Sequence, residues 1–197
     1  MEPLVSILIP SFNREDYIAA TLESALSQTH TNIEVIICDN ASTDSTASIV
    51  RSFVKRDPRV FFFEQEKNLG PVLNWEECLK RAKGVYTHIL WSDDLVEPRF
   101  LEETLALFKE QNDLAFVFSK VKIGPTPENL TQICYNYFFK TGVYPSVEFI
   151  TASLSNKDLP YSPACAVFKT ETLRKCFIKE NEFLTISTYR TVPDPIC

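Results

Sequence analysis

Five short apolar runs, separated by segments with helical periodicity, set the fold class of this chain. They lie at Val5–Ile9, Glu34–Cys38, Arg59–Phe63, Val85–Trp91 and Leu114–Ile123. Each run is short enough to be a buried strand rather than a helix, and turn-forming or polar residues follow it. Strands that alternate with helices form βαβ units, whose strands are parallel. The pattern therefore predicts an α/β protein with a mostly parallel sheet flanked by helices.

Between these runs, apolar residues recur at the spacing of one helix face. We expect Asn13 to cap the first helix, Gly84 to end the third and Pro98 to occupy the first position of the fourth. The four predicted apolar faces are Ile18, Leu22, Ala25 and Leu26; Ile49, Val50, Phe53 and Val54; Trp75, Cys78, Leu79 and Ala82; and Phe100, Leu101, Leu105 and Phe108.

After Gly124 the alternation breaks. There the sequence predicts a helix at Val147–Leu154, a strand at Ala164–Phe168 and a short helix at Thr170–Lys175. No linker rich in Gly or Ser divides the chain. We therefore expect one domain over residues 1–197, with residues 1–123 and 124–197 as its two halves.

The composition is that of an ordinary globular protein of 197 residues with a net charge of −6. This charge argues against a protein that binds nucleic acid through a basic face. No apolar run reaches the roughly 20 residues of a membrane-spanning helix, and the N-terminus lacks the basic region of a signal peptide. The six cysteines are scattered, which favours reduced, buried thiols over a redox pair. These features predict a cytoplasmic location and leave peripheral membrane association open.

Polar residues follow each of the first four predicted strands. They occupy residues 10–13 (PSFN), 39–44 (DNASTD), 68–70 (NLG) and 92–94 (SDD). The carboxyl ends of parallel strands meet at one edge of a sheet, which is where ligands bind in open α/β folds. We therefore expect one binding site built from all four segments. His88, inside the fourth strand, is expected in the core.

The sequence contains neither GxGxxG nor GxxxxGK[ST], the glycine-rich motifs that bind phosphate through the backbone. A nucleotide diphosphate would therefore need another means of charge neutralisation. A divalent cation held by carboxylates supplies one, because Mg²⁺ and Mn²⁺ prefer oxygen ligands. Asp93 and Asp94 are adjacent acids at a strand end, and they suit such an ion.

Each polar cluster also has a purely structural interpretation. Asp93 and Asp94 could cap the helix that starts near Pro98, and residues 39–44 could form a turn that caps the second helix. Phe12 could belong to the core, and residues 68–70 could form an ordinary turn. These alternatives do not explain why all the clusters fall on one edge of the sheet.

Four motifs, in this order and spacing, resemble the inverting family 2 glycosyltransferases, which have a Rossmann-like GT-A fold. They are VSILIPSFN, EVIICDNASTD, NLGPVLNWEECLKRAKGVY and HILWSDD. The resemblance covers residues 4–120 and extends to SPACAVFKTETLRK at 162–175. It implies that residues 1–123 bind a nucleotide sugar and that residues 124–197 form part of the acceptor side.

The resemblance also implies roles for individual residues. Asn40 stands where many members have an acid that binds uracil, so the identity of the base stays open. Trp91 replaces the first acid of the metal motif, and Trp75 lies near a position that is often arginine. The implied metal ligands are Asp93 and Asp94, and the implied nucleotide-binding residues are Pro10, Ser11, Phe12, Asp39, Asn40, Asn68, Ser92 and Asp93.

The implied activity is a transfer with inversion, dependent on Mn²⁺ or Mg²⁺, of a sugar from a nucleotide-diphosphate donor to a saccharide or lipid-linked acceptor. It would serve cell-surface polysaccharide or glycoconjugate synthesis. The family's catalytic base, an Asp or Glu in a later motif, has no clear counterpart, because Glu180, Glu182 and Asp194 lie outside its pattern. We therefore expect a chain truncated before the base. The alternatives are a catalytically incomplete sugar-nucleotide-binding module and a Rossmann-like interaction protein without a ligand.

Overall fold

The structure is a computed structural model that describes residues 2–176, apart from residues 125, 127, 128, 136, 139, 141, 156, 160 and 161. Its strands are β1 (Val5–Ser11), β2 (Ile33–Asp39), β3 (Val60–Glu64), β4 (Tyr86–Ile89), β5 (Phe116–Phe118), β6 (Val121–Ile123), β7 (Gln132–Cys134) and β8 (Ala166–Lys169). Its helices are α1 (Ile18–Leu26), α2 (Thr46–Arg56), α3 (Pro71–Arg81), α4 (Phe100–Glu110), α5 (Ser146–Leu154) and α6 (Thr170–Cys176).

Six of these strands form one sheet in the order β3-β2-β1-β4-β8-β5. Strands β1 to β4 are parallel, whereas β8 is antiparallel to both of its neighbours. The predicted α/β class with a mostly parallel sheet is confirmed. Strand β8 comes from the second half of the chain, so both halves contribute to this sheet.

Helices cover both faces of the sheet, and strand β1 shows how. All seven of its residues are buried. Val5, Ile7 and Ile9 pack in a cluster with residues of α1, α2 and α4, while Leu8 packs with residues of α3 on the other face. A strand buried on both faces requires a nearly continuous apolar run, which is why this strand could be predicted from the sequence.

The predicted strand at Leu114–Ile123 is wrong, because it is two strands in two sheets. Strand β5 pairs with β8, whereas β6 pairs with β7 in a separate two-stranded sheet. The amide of Ser119 donates to the carbonyl of Cys165 at 2.9 Å, and the chain leaves the main sheet after that bond. A continuous apolar run does not reveal such a break.

Two predicted helix starts are also wrong. Asn13 does not cap α1, whose N-cap is Tyr17; Asn13 has a φ of 49° and its Oδ1 accepts a bond from Thr43 N at 2.9 Å. Helix α4 begins at Phe100 with Arg99 as its N-cap, two residues after Pro98. Asp93 and Asp94 therefore do not cap this helix.

Gly84 does not end α3 as a C-cap, since the helix ends at Arg81 with Ala82 as its C-cap. A Cβ atom at Gly84 would lie 2.6 Å from Ser6 N and 2.8 Å from Leu4 O. The glycine is required because the backbone before β4 passes very close to β1.

The elements predicted for the second half are confirmed as α5, β8 and α6, with a 3-10 helix at Pro163–Cys165 before β8. Across the described ranges, the helices are all too short or too polar to cross a bilayer. The candidate bases Glu180, Glu182 and Asp194 lie outside the described residues.

Candidate functional site

The segments that follow the parallel strands meet at one edge of the sheet. Ser11 at the end of β1 pairs with Asp39 at the end of β2, which pairs with Glu64 at the end of β3. Strand β4 lies on the other side of β1, with Ile89 opposite Leu8. The loops beyond these ends enclose a cleft of about 490 Å³.

The cleft contains most of the residues that the sequence predicted for nucleotide binding. The predicted residues that line it are Pro10, Ser11, Phe12, Asn40, Asn68, Ser92 and Asp93. Asp39 is not a lining residue, because Ser42 N and Ser42 Oγ donate to its two carboxylate oxygens at 2.8 and 2.5 Å. Asp94 is not a lining residue either; its amide donates to Trp91 O at 3.1 Å in the turn after β4.

The cleft is also lined by residues that the sequence did not assign to the site. They are Arg14, Pro71, Asn74, Trp75 and Trp91. Arg14 follows β1 by three positions, and a basic residue that close to a strand end was the signal that could have identified it. Asn74 lies within a predicted helix and was not assigned to the site. The signal that could have identified it is a polar residue one turn before the buried Cys78.

Hydrogen bonds fasten the loop after β1 to the loop after β2. Asn13 N donates to Ser42 Oγ and Arg14 N to Thr46 Oγ1, both at 2.8 Å. Glu15 N donates to Asp44 Oδ2 at 3.1 Å, and Thr46 N donates to Asp44 Oδ1 at 2.9 Å. Burial acts to raise the pKa of Asp44, but these hydrogen bonds outweigh burial and lower it. Asp44 thus joins the two loops as an ionised acceptor.

Asn40 fixes the turn that leads into α3. The residue is 3% exposed, its Oδ1 accepts a bond from Leu69 N at 2.8 Å, and its Nδ2 donates to Asn68 Oδ1 at 2.9 Å. Gly70 N also donates to Asn68 Oδ1, at 2.8 Å, and Gly70 has a φ of +82°, which favours glycine. These bonds hold the 68–70 turn against the end of β2.

One of the two adjacent acids at the end of β4, Asp93, pairs with a cation of the protein itself. Arg14 Nε lies 3.3 Å from Asp93 Oδ2, and the two side chains are 41% and 44% exposed. Burial, followed by repulsion from Asp93, raises the pKa of Asp94 to about 6. Two crowded carboxylates disfavour their joint ionisation, and a further cation beside them would relieve that cost.

The residues present fit a divalent cation of the Mg²⁺ or Mn²⁺ class. These ions are commonly held by one or two carboxylates together with the oxygens of a substrate phosphate. Two adjacent carboxylates, Asp93 and Asp94, follow β4, and Asp93 lines the cleft. Within the described part of the chain there is no cluster of three or more His, Cys, Asp or Glu side chains that would hold a metal by protein ligands alone.

Two buried polar atoms at the floor of the cleft have no partner among the described residues. Asn74 Nδ2 donates to Cys38 O at 2.8 Å and to Ser11 O at 3.5 Å, which ties α3 to the ends of β1 and β2. Asn74 Oδ1 and Ser11 Oγ have no hydrogen bond in the described structure, and both residues are 2% exposed. An unpartnered buried polar atom costs about 1–3 kcal/mol, so their location suits a polar ligand.

Comparison with known proteins gives a family match over most of the chain. The model of the family described as "Glycosyl transferase family 2" matches residues 6–177. Chondroitin synthase of Escherichia coli is 39% identical over 136 residues, which are 68% of this chain and 20% of that protein. A putative teichuronic acid biosynthesis glycosyltransferase of Bacillus subtilis, TuaG, is 39% identical over 118 residues, which are 60% of this chain and 46% of that protein. The chain thus spans a fifth to about half the length of these relatives.

Solved structures show the same fold. Residues 1–349 of S. aureus TarS, in complex with UDP-GlcNAc, match with a TM-score of 0.68 and 25% identity over 87% of this chain and 46% of that one. The mannosyltransferase PcManGT from Pyrobaculum calidifontis, in complex with GDP-Man and Mn²⁺, matches with a TM-score of 0.63 and 22% identity over 89% of this chain and 47% of that one. These structural neighbours confirm the predicted GT-A-type sheet.

Proposed function

Because this chain belongs to glycosyl transferase family 2, we propose that its cleft binds a nucleotide-diphosphate sugar and that the whole protein transfers this sugar, with inversion, to an acceptor hydroxyl. The observation that carries the proposal is the convergence of four strand-end segments on one cleft that also contains the Arg14–Asp93 ion pair. A saccharide or lipid-linked acceptor in polysaccharide synthesis is the corresponding substrate, in keeping with the chondroitin and teichuronic acid synthesis of the relatives' names.

The nucleoside is assigned to the part of the cleft between Phe12 and the Asn40–Asn68 pair. Phe12 is 41% exposed, so its ring is available to a base. Asn68 Oδ1 already accepts two bonds, which leaves the Asn68 amide nitrogen as the group to donate to a base or ribose. UDP is the first nucleotide to test, because TarS was solved with UDP-GlcNAc.

The diphosphate is assigned to the end of β4, next to Asp93 and Asp94. A divalent cation held by these two carboxylates would stabilise the negative charge that develops on the leaving diphosphate. Arg14 lines the same part of the cleft, so its guanidinium is placed to contact a phosphate once Asp93 binds the ion.

The test is a thermal-shift and calorimetric screen of UDP, GDP, dTDP and CDP, each with and without Mn²⁺. We expect one nucleotide to raise the melting temperature in the presence of the metal, because a ligand that binds only the folded state stabilises it. Asp94→Asn should weaken metal-dependent nucleotide binding by about tenfold to a hundredfold, since one charged ligand is lost. Asp113→Asn, which removes an exposed acid outside the cleft, is the matched control. If Asp94→Asn binds like the control, the metal assignment is wrong.

A second candidate function is sugar-nucleotide binding without transfer by this chain. It is favoured by the cleft lining, in which Asp93 is the sole carboxylate among the described residues. If Asp93 holds the metal, the described lining offers no further carboxylate as a base. Release of the nucleotide diphosphate from a bound donor, with and without a saccharide acceptor, separates an active transferase from a binding module.

A further inference from the structure

The chain contains two tryptophans, and both line the cleft. Trp75 lies on α3 and Trp91 follows β4, so they come from different elements of the sheet and its covering helix. Their ring centroids are 4.9 Å apart, and their planes meet at 47°. They form a continuous aromatic wall, which we call the tryptophan wall, in a cleft that is also lined by Phe12 and by polar and charged side chains.

Trp91 is held rigidly. Its side chain packs against the buried cluster that contains Leu8 and Ile89. Its Nε1 donates to Ser162 Oγ at 3.0 Å, and Ser162 belongs to the turn that precedes β8. Because the indole N–H already has a partner, what Trp91 offers to the cleft is its ring face rather than a donor.

Trp75 is positioned by the residue before it. Asn74 bonds to the carbonyls of Cys38 and Ser11, which fixes this turn of α3 against the ends of β1 and β2. Both tryptophans are partly exposed. Large aromatic side chains left partly exposed inside a cleft are typical of ligand-binding surfaces rather than of a core.

An aromatic face suits one part of a nucleotide sugar in particular. The face of an indole ring carries partial negative charge and attracts the weakly positive C–H groups of an apolar surface. A pyranose ring has such a C–H face, with its hydroxyl groups around the rim. The hydroxyl-bearing Ser92 lines the same cleft and is suited to that rim.

The position of the tryptophan wall favours contact with the sugar of the donor rather than with its base. Trp91 precedes Asp93 by two residues, so their Cα atoms are at most about 7.6 Å apart. The sugar of a nucleotide donor is bonded directly to the distal phosphate, and the proposed function places that phosphate beside Asp93. Phe12, which follows the end of β1, is the aromatic residue available to the base.

We propose that Trp75 and Trp91 form the platform on which the pyranose ring of the donor stacks, and that they make the cleft selective for the sugar as well as for the nucleotide. This proposal rests on the proposed function, because it requires the diphosphate to bind beside Asp93.

The test compares UDP with UDP-GlcNAc, both with Mn²⁺, in the wild-type chain and in two variants of Trp75. Trp75→Leu keeps apolar volume but removes the aromatic face, and Trp75→Phe keeps an aromatic face. Trp75→Leu should weaken UDP-GlcNAc binding about fivefold to tenfold and change UDP binding less than about twofold, whereas Trp75→Phe should restore most of the affinity for UDP-GlcNAc. Calorimetry measures both affinities.

Tryptophan fluorescence provides a second measurement that needs no variant. Both tryptophans of the chain line the cleft, so the whole indole emission reports on it. At saturation, UDP-GlcNAc should change the emission of the wild-type protein more than UDP does. An equal change for both ligands would overturn the proposal even if Trp75→Leu failed to fold.

The outcomes distinguish a failure of this proposal from a failure of the proposed function. If UDP binds but Trp75→Leu weakens UDP and UDP-GlcNAc equally, the tryptophan wall contacts the nucleoside and the proposal is wrong. If neither affinity changes, the wall is structural and the proposal is also wrong. If the wild-type chain binds neither UDP nor UDP-GlcNAc, the same comparison is made with the nucleotide that the screen identifies among GDP, dTDP and CDP, and with the sugar nucleotide derived from it. If none of the four nucleotides binds, the proposed function itself is refuted.

Discussion

The polar residues at the two ends of strand β1 differ in their hydrogen bonding. At the amino end, Ser6 Oγ donates to the buried Glu34 at 2.6 Å, and the same oxygen of Glu34 accepts bonds from Lys83 N and Gly84 N at 2.6 and 3.2 Å. At the carboxyl end, Ser11 Oγ is buried without a partner among the described residues, and Asp93 is half-exposed. At the amino edge these polar groups are satisfied internally, whereas the carboxyl edge combines internally bonded residues such as Asp39 and Asn40 with polar groups that stay available.

This difference distinguishes structural from functional polar residues. Buried polar groups with complete hydrogen bonding stabilise a fold and specify its packing. Polar groups that lack partners reduce stability, and Ser11 Oγ and Asn74 Oδ1 are two such groups that lie where a ligand can supply the missing bonds. Substitutions at the amino edge should therefore change stability, and those at the carboxyl edge should change binding.

The largest effect should come from Glu34→Ala at the amino edge. The change removes the acceptor of three hydrogen bonds at a residue 6% exposed, and it leaves Ser6 Oγ and two backbone amides without that partner. We expect a loss of about 4 kcal/mol in the free energy of unfolding, measured in urea. Glu34→Gln, which keeps an acceptor oxygen, should cost less. The nucleotide affinity of the folded fraction should stay unchanged. A large loss of affinity would contradict the inference that the amino edge of the sheet contributes to stability and not to binding.

The next effect is a dependence of stability on pH that arises between the two edges, at His88 in β4. Burial, opposed by the carbonyl of Ala166, which lies 2.9 Å from Nδ1, lowers the pKa of His88 from 6.5 to about 4. Above pH 6.5 the group contributes no pH dependence. As the pH falls from 6.5 to 4 the unfolded chain takes up the proton first, so stability decreases by up to about 3 kcal/mol.

His88→Gln serves as the comparison for this measurement. Urea unfolding of both proteins at several pH values isolates the contribution of the imidazole, since the other titrating groups are shared. The wild-type chain should lose more stability than the variant over this range. Parallel curves would show that His88 is protonated as easily in the folded state as in the unfolded one.

The smallest effect on stability should come from Arg14→Gln at the carboxyl edge. The ion pair of Arg14 with Asp93 is exposed, and such pairs contribute less than about 1 kcal/mol. Without nucleotide, Mn²⁺ affinity should rise about threefold, because Arg14 no longer competes for Asp93. Arg51→Gln, which breaks a similar exposed pair with Glu64 outside the cleft, is the matched control. Electron paramagnetic resonance of free Mn²⁺ measures the affinity, and equal values in both variants would refute the role of Arg14.

The same comparison shows why the sequence predicted some features and missed others. Strands β1 and β2 are buried on both faces, so their apolar runs were unambiguous, and the polar segments after them could be assigned to one edge. Gly84 was misassigned because its requirement comes from the approach of β1, which is distant in sequence. The break between β5 and β6 depends on where β8 pairs, and local propensity carries no information on that.

The candidate site, like the fold, could be predicted from the sequence only in part. Phe12 and Asp93 follow strands directly, and their place in the cleft could be inferred from topology alone. The contact between Trp75 and Trp91 depends on how α3 packs across the sheet, and the bond from Trp91 to Ser162 joins residues 71 positions apart. Sequence reasoning located the edge of the sheet but not the wall of the cleft, because the wall is a product of long-range packing.

The place of β8 in the sheet also has a consequence for the order of folding. Strand β5 pairs only with β8 in the described structure, and β8 enters the sheet about fifty residues later in the chain. On a ribosome, β1 to β4 can pair as soon as they emerge, whereas β5 must wait with an unpaired edge until β8 is synthesised. Until β8 is synthesised, the edge of β4 has no partner strand, and an unpaired edge of this kind is prone to aggregation.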